Sequence, residues 1–213
     1  DFGMQLPIQA RSRLQCDPWE DGAGAKELAR IAQACDVAGF SYVGVCDHVA
    51  VPRDQVERMQ TAWYDTVATL GWLAALTTRV RLLSHVFIVA YRHPLVTAKS
   101  FMTLDHLSGG RMMFGMGRGL AKMEYKGFGI DMNEARERFD ESAPMIIEGL
   151  ETGYVEGNGK FYPQPRVEVR PKPSRGIRDR LFCVVMSPYS VDIAAKLGAT
   201  MTSFIQYDIS KHA

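Results

Sequence analysis

Short apolar runs alternate along this chain with stretches whose apolar residues recur every three to four positions, and few folds accept that alternation. Strand-like runs cover 2–9, 41–48, 80–90, 111–117, 181–186 and 200–206, and helical patterns cover 24–37, 62–77, 94–107, 133–150 and 189–197. A βαβα rhythm of this kind builds a parallel sheet with helices packed on it. Local signals mark the joints. Leu28, Ile31, Ala32 and Cys35 share one helix face, and Gly39 follows as a stop. The second helical pattern offers Val67, Leu70, Leu73, Ala74 and Leu76. Pro94 suits a first helical turn, Ser108-Gly109-Gly110 ends that helix, and Asn133 suits an N-cap. The run VRLLSHVFIVA, 80–90, is apolar almost throughout, as a strand buried on both faces should be.

Residues 153–176 leave the rhythm. Gly157-Asn158-Gly159 is a turn between YVE and KFY, so a small hairpin is expected there, followed by a connector rich in proline and arginine. The final DISKHA reads as the first turn of another helix. The pattern therefore predicts an α/β fold of the (β/α)8 TIM-barrel type. It is incomplete, with about six βα units in a single domain over 1–213 and without the seventh and eighth strands. A doubly wound open sheet is the rival. It is disfavoured because Pro7, Ile8 and Gln9 stand where a glycine-rich dinucleotide turn should follow the first strand.

Charge and cysteine usage exclude several functions. A net charge of +1 leaves no footprint for nucleic acid. No run approaches the roughly 18 apolar residues of a membrane helix. The N-terminal DFGMQLPIQ reads as a strand, not as a secretory leader. The four cysteines form no C-x-x-C pair and have no histidine at ligand spacing, so no metal site is expected, and reduced thiols in the cytoplasm are the simplest reading.

In a barrel the chemistry sits at the C-terminal ends of the strands. Those ends are unusual here: Asp47-His48, Ser84-His85, Gly117-Arg118-Gly119 and Ser187-Pro188-Tyr189-Ser190. Ser187 and Ser190 flank a helix start, where free N–H groups favour an anion, and Arg118 could supply the bidentate partner that a phosphate prefers. Read from the residues alone, an N-cap by Ser187 beside a surface arginine stands equally open. So does a purely structural Asp47-His48 pair. A sugar-processing barrel is disfavoured, since no close carboxylate pair appears at the strand ends.

The stretch from His93 to Phe139 resembles the luciferase-like monooxygenase family. It carries Arg118-Gly119-Leu120 and, further on, Phe128-Gly129-Ile130-Asp131-Met132-Asn133-Glu134-Ala135-Arg136. The resemblance implies an FMN phosphate held by Arg118, Ser187 and Ser190. Met186 stands where an acidic residue opens that helix motif, so only its backbone could serve. Gly117 stands where a reactive cysteine is found. His48 becomes a catalytic base or proton relay, a role suited to imidazole, with Asp47 beside it to set its tautomer or to cap the loop. A non-proline cis peptide at His85–Val86 is implied against the flavin ring.

The activity implied is oxygenation of a small molecule by O2 with reduced FMN supplied by a separate flavin reductase. Met116, Tyr91, Phe128 and Tyr189 suggest that this molecule is apolar, although core packing explains them as well. A homodimer through the second and third helices is implied as well, its apolar surface comprising Trp63, Val67, Leu70, Trp72, Leu73 and Leu76. Two other readings accompany this one. An F420-dependent oxidoreductase is one, although Arg118 and Leu120 lean toward FMN. A shortened, non-catalytic flavin-binding protein is the other.

Overall fold

A computed structural model describes residues 2–12, 16–59 and 62–203. Its main sheet is parallel throughout and runs β1 (Gly3–Gln5), β2 (Tyr42–Val45), β3 (Arg81–Ser84), β5 (Met112–Gly117), β8 (Leu181–Val184) and β9 (Thr200–Thr202), with β4 (Phe87–Ile88) also paired to β5. The strand order follows chain order without the reversal that defines a doubly wound sheet. The helices α1 (Ala25–Ala38), α3 (Thr66–Leu76), α4 (Pro94–Leu107) and α6 (Ala135–Thr152) pack on one another in the same sequence. A sheet curling inside an ordered helix layer is an incomplete barrel of the TIM type.

Sequence chemistry accounts for the joints. In α1 the Glu27 carboxylate accepts the Gly24 N–H at 3.0 Å, and Gly39 closes the helix at φ +80°, where a side chain would be strained. Asp36, buried near the end of α1, accepts N–H groups of Thr78, Arg79 and Val80, so it fastens α1 to the start of β3. Below the sheet, Arg180 is 2% exposed and bonds Asp105 of α4 at 2.5 Å and the carbonyls of Gly110 and Met112 beside β5. Phe87, Phe101 and Phe114 fill the space between sheet and helices, with ring centroids 4.6 to 6.5 Å apart.

The elements depart from the sequence reading in specific places. The apolar run 80–90 is two strands, β3 and β4, separated at His85–Val86, whose peptide bond is cis as the resemblance implied. A short helix, α2 (Val56–Met59), precedes α3, which begins only at Thr66, where the Asp65 carboxylate caps the Ala68 N–H at 2.8 Å. The loop expected after β5 contains a helix, α5 (Lys122–Gly127). Asn133 is not an N-cap: its own N–H donates to Asp131, which opens a short 3-10 turn ahead of α6. The hairpin forms as β6 (Tyr154–Asn158) and β7 (Pro163–Glu168), and Glu141 of α6 clamps its turn by accepting the N–H groups of Lys160, Phe161 and Tyr162. The strand expected at 200–206 is β9 through Thr202. Its continuation past 203 and the helical turn expected at the C-terminus lie outside the described residues.

Of the six residues named for a dimer surface, Leu70 and Leu73 are fully buried in the chain's own core and Trp63 lies before α3. Trp72 is 39% exposed, and on α4 Val96 and Leu107 stand exposed as well. No helix of the described residues is long and apolar enough to cross a membrane.

Burial would raise the Asp36 carboxyl pKa, but the N–H groups of Val80, Thr78 and Arg79 outweigh it and bring it down to about 2, against an ordinary 3.8. A depressed folded-state pKa stabilises above the unfolded value and loses that stabilisation as pH falls toward the folded one. Asp36→Asn is therefore expected to cost about 1–3 kcal/mol at neutral pH. In urea unfolding followed from neutral pH into the acid, the gap between wild type and variant narrows below about pH 4. A gap independent of pH contradicts the role given to Asp36.

Candidate functional site

At the C-terminal ends of the strands lies a cavity of about 350 Å³, within the range of small-molecule sites. Asp47, His48, His85, Val86, Gly117, Arg118, Met186, Ser187 and Ser190 all line it. Ser84 does not. Its hydroxyl donates to the Gly115 carbonyl and accepts the Gly115 N–H, which makes it a bridge between β3 and β5.

Asp47 and His48 part company. The Asp47 carboxylate is buried and accepts a forked pair of bonds from Arg92, at 2.5 and 2.9 Å. It also accepts the Thr66 hydroxyl at 3.0 Å and the Ile88 N–H at 2.8 Å. With four donors on two oxygens, Asp47 ties together the end of β2, the start of α3 and β4. His48 turns instead to Glu124 of α5, its Nδ1 lying 3.3 Å from Oε1. The same oxygen accepts the N–H groups of Val49 and Ala50, while the Tyr91 hydroxyl donates to the other at 3.3 Å. The ring of Trp63 meets His48 edge-on at 4.4 Å. The orienting role expected of Asp47 thus falls, in this geometry, to Glu124.

Electrostatics follow from those contacts. Burial alone would raise the Glu124 pKa, but the hydrogen bond and charge of His48 and the N–H groups of Ala50 and Val49 hold it below the ordinary carboxylate range. Burial, then the nearby carboxylates of Asp47 and Glu124, push the Tyr91 hydroxyl far up, so it stays a neutral donor. His85 spans the sheet from edge to edge, with Nδ1 2.8 Å from Gln5 of β1 and Nε2 3.1 Å from Thr202 of β9. Its burial lowers its pKa and favours the neutral ring.

The opposite wall holds Arg118 and the start of a helix. Arg118 follows β5, and among the described residues no carboxylate pairs with its guanidinium. The Tyr125 hydroxyl donates to its carbonyl, which fixes the backbone there. Facing the same cavity is the start of α7 (Pro188–Leu197). There the Ser190 Oγ accepts the N–H groups of Met186 and Ser187, each at 2.9 Å, and Ser187 is the N-cap. The serines therefore do cap the helix, and the capped end still looks into the cavity beside Arg118. The Met186 side chain is exposed. Two glycines make the wall close: a Cβ at Gly117 would come 2.7 Å from Val86 Cγ2, and one at Gly119 equally near Ile88 Cγ2. A cysteine at Gly117 has no room unless its neighbours shift.

Sequence reasoning passed over Glu124, Arg92 and Gln5, and gave Trp63 to a dimer surface although it lines the cavity against His48. Glu124 sits in a helix of six residues, too short for periodicity to reveal. Arg92 carries no signal beyond a lone charge between Tyr91 and His93.

A family model described as luciferase-like monooxygenase matches residues 1–209. The alkanal monooxygenase beta chain of Photorhabdus luminescens is 30% identical over 128 residues, which are 60% of this chain and 40% of that one. Among solved structures, monooxygenase RslO1 from Streptomyces bottropensis is 26% identical at a TM-score of 0.73, covering 94% of this chain and 59% of that one. Two others share the fold. The oxygenating constituent of 3,6-diketocamphane monooxygenase from Pseudomonas putida, in complex with FMN, is 14% identical (TM-score 0.71, covering 95% and 57%). An F420-dependent secondary alcohol dehydrogenase holding an F420–acetone adduct is 18% identical (TM-score 0.76, covering 95% and 57%). The chain spans about half the length of the curated relatives it matches.

The Asp47–Arg92 pair is mostly buried, so removing one partner strands the other's charge. Asp47→Ala is expected to cost about 3–5 kcal/mol, which lowers the melting temperature by roughly 6–20 °C. Glu124→Gln, whose amide oxygen can still accept the Val49 and Ala50 N–H groups, lowers it much less. Calorimetry that finds Asp47→Ala as stable as wild type contradicts the structural role.

Proposed function

The chain belongs to the luciferase-like monooxygenase family, and from that premise we propose that it is a flavin-dependent monooxygenase acting on an apolar small molecule. The observation that carries this reading is Arg118: a guanidinium without a carboxylate partner among the described residues, lining one cavity together with a capped helix start and His48. The donor set fits a phosphate, which takes planar bidentate partners and helix N-termini alike. The glycines at 117 and 119 let the side chains of Val86 and Ile88 pack close against this wall. Arg118, Ser187, Ser190 and the Met186 backbone would hold the phosphate, and Gly117, His85 and Val86 would border the ring. Reduced FMN, when bound, supplies the electrons that activate O2.

The chain's own residues bind, orient and exclude water. His48 Nδ1 donates to Glu124, which leaves Nε2 as the ring nitrogen able to take a proton. Tyr91 and Phe128 stack at 4.7 Å close behind Glu124, and Trp63 shields the imidazole. A separate reductase would deliver the reduced flavin. The four unpaired cysteines fit the reducing cytoplasm. F420 is the alternative cofactor, supported by the F420-dependent fold neighbour. A flavin binder without turnover is the second class of function. Oxygen consumption with FMNH2 and substrate separates enzyme from binder.

Arg118→Ala is expected to weaken FMN binding roughly 10- to 100-fold, since a charge-assisted hydrogen bond contributes about 1.5–3 kcal/mol. Riboflavin, which lacks the phosphate, should bind nearly as before, and Arg118→Lys should recover only part of the loss because a point charge cannot reproduce the planar fork. Equal losses for both ligands in a titration would mean that Arg118 shapes the loop and holds no phosphate.

A homodimer packed on α3 and α4 is the assembly that the exposed Trp72, Val96 and Leu107 support. Trp72→Glu combined with Leu107→Glu should yield monomers in sedimentation equilibrium. A wild-type protein that is monomeric at micromolar concentration refutes this.

A further inference from the structure

A second, open groove of about 880 Å³ shares Arg118 with the rim cavity. Lys122 and Lys126 of α5 and Arg136 of α6 line it, and Asp131 is its one acidic residue. Asp131 already caps the Asn133 N–H at 2.9 Å. The groove thus carries four formal positive charges against one negative, in a chain whose net charge is only +1.

Several exposed cations elsewhere are paired: Lys160 with Glu137 at 3.6 Å, Arg166 with Glu156 at 3.9 Å, Arg175 with Asp179 at 3.2 Å. Among the described residues no carboxylate pairs with Arg118, Lys122, Lys126 or Arg136. Lys122 and Lys126 are moreover four residues apart on one helix, a like-charge spacing that destabilises a helix by itself. The Arg136 guanidinium lies 4.5 Å over the ring of Tyr189, which lines the rim cavity, so the two spaces are joined on that side too.

An anion on Arg118 therefore stands where the cavity passes into a positively charged groove. FMN ends at its phosphate and leaves the groove to solvent. We propose that the groove is a subsite for anionic groups strung beyond the first phosphate of the cofactor. The proposal rests on the reading that this phosphate sits at Arg118, and it adds that the chain discriminates cofactors by the groups attached beyond that phosphate. Two sources share the chemistry: the second phosphate of a flavin dinucleotide and the carboxylate-bearing tail of a deazaflavin.

The test is a titration of FMN, FAD and coenzyme F420 into wild type and a Lys122→Gln/Lys126→Gln variant, at low and at high salt. Both lysines are exposed, so the variant should melt with wild type. The extended cofactor is expected to lose about three- to thirtyfold in affinity, and the loss should shrink at high salt, while FMN changes by less than about twofold. A response of FAD alone assigns the groove to a second phosphate, and one of F420 alone assigns it to carboxylates; either upholds the proposal. If neither responds, or if FMN loses as much, the groove is not a subsite. Arg118→Ala separates the two layers. FMN binding that depends on Arg118 while the lysines stay silent sinks the groove alone, and FMN binding indifferent to Arg118 sinks both.

Discussion

The geometry of the rim depends on one buried carboxylate. Asp47 leaves the end of β2 and gathers the Arg92 guanidinium, the Thr66 hydroxyl and the Ile88 N–H on its two oxygens. A charge out of water is costly unless it is paired and its remaining lone pairs are satisfied. Here both conditions hold. Because the partners come from α3, β4 and the segment leading into α4, satisfying the charge also sets where the three meet. Ile88 is drawn to Asp47 just after the cis bond at His85–Val86, and Ile88 in turn backs Gly119, the residue after Arg118. The wall that presents Arg118 is thus positioned from the other side of the cavity.

A second carboxylate does for the loop after β2 what Asp47 does for the frame. Glu124 accepts the Val49 and Ala50 N–H groups and the His48 imidazole, and the Tyr91 hydroxyl lies behind it. The two acids thereby divide their tasks. One is locked to arginine and builds; the other is shared between backbone and imidazole. On this side of the cavity Glu124 is held down and Tyr91 pushed up.

Much of this was legible in the chain. The βα rhythm pointed to a parallel barrel-type sheet, Gly39 and Pro94 marked helix ends correctly, and nine of the eleven residues singled out at the strand ends line a single cavity, Ser84 and Pro188 being the exceptions. The failures have physical causes. Side-chain pattern reports burial and not backbone hydrogen bonding, so the continuous apolar run at 80–90 concealed the break between β3 and β4. Of the roles left open for Asp47, setting the His48 tautomer is not seen: neighbours in an extended segment point to opposite sides, and the two diverge to Arg92 and Glu124. Glu124 itself reaches His48 across 76 positions, a pairing that only the closed loop after β5 creates.

Arg118 and the start of α7 are the proposed phosphate seat for a flavin-type cofactor, and the functional reading stands or falls with them. The most direct test is a crystal structure of the chain with FMN bound. A phosphate oxygen is expected at about 2.7–3.0 Å from the Arg118 guanidinium, in charge-assisted hydrogen-bonding range, with the phosphate beside Ser187 and Ser190. A phosphate that points to solvent, or a flavin seated away from Arg118 altogether, would contradict it.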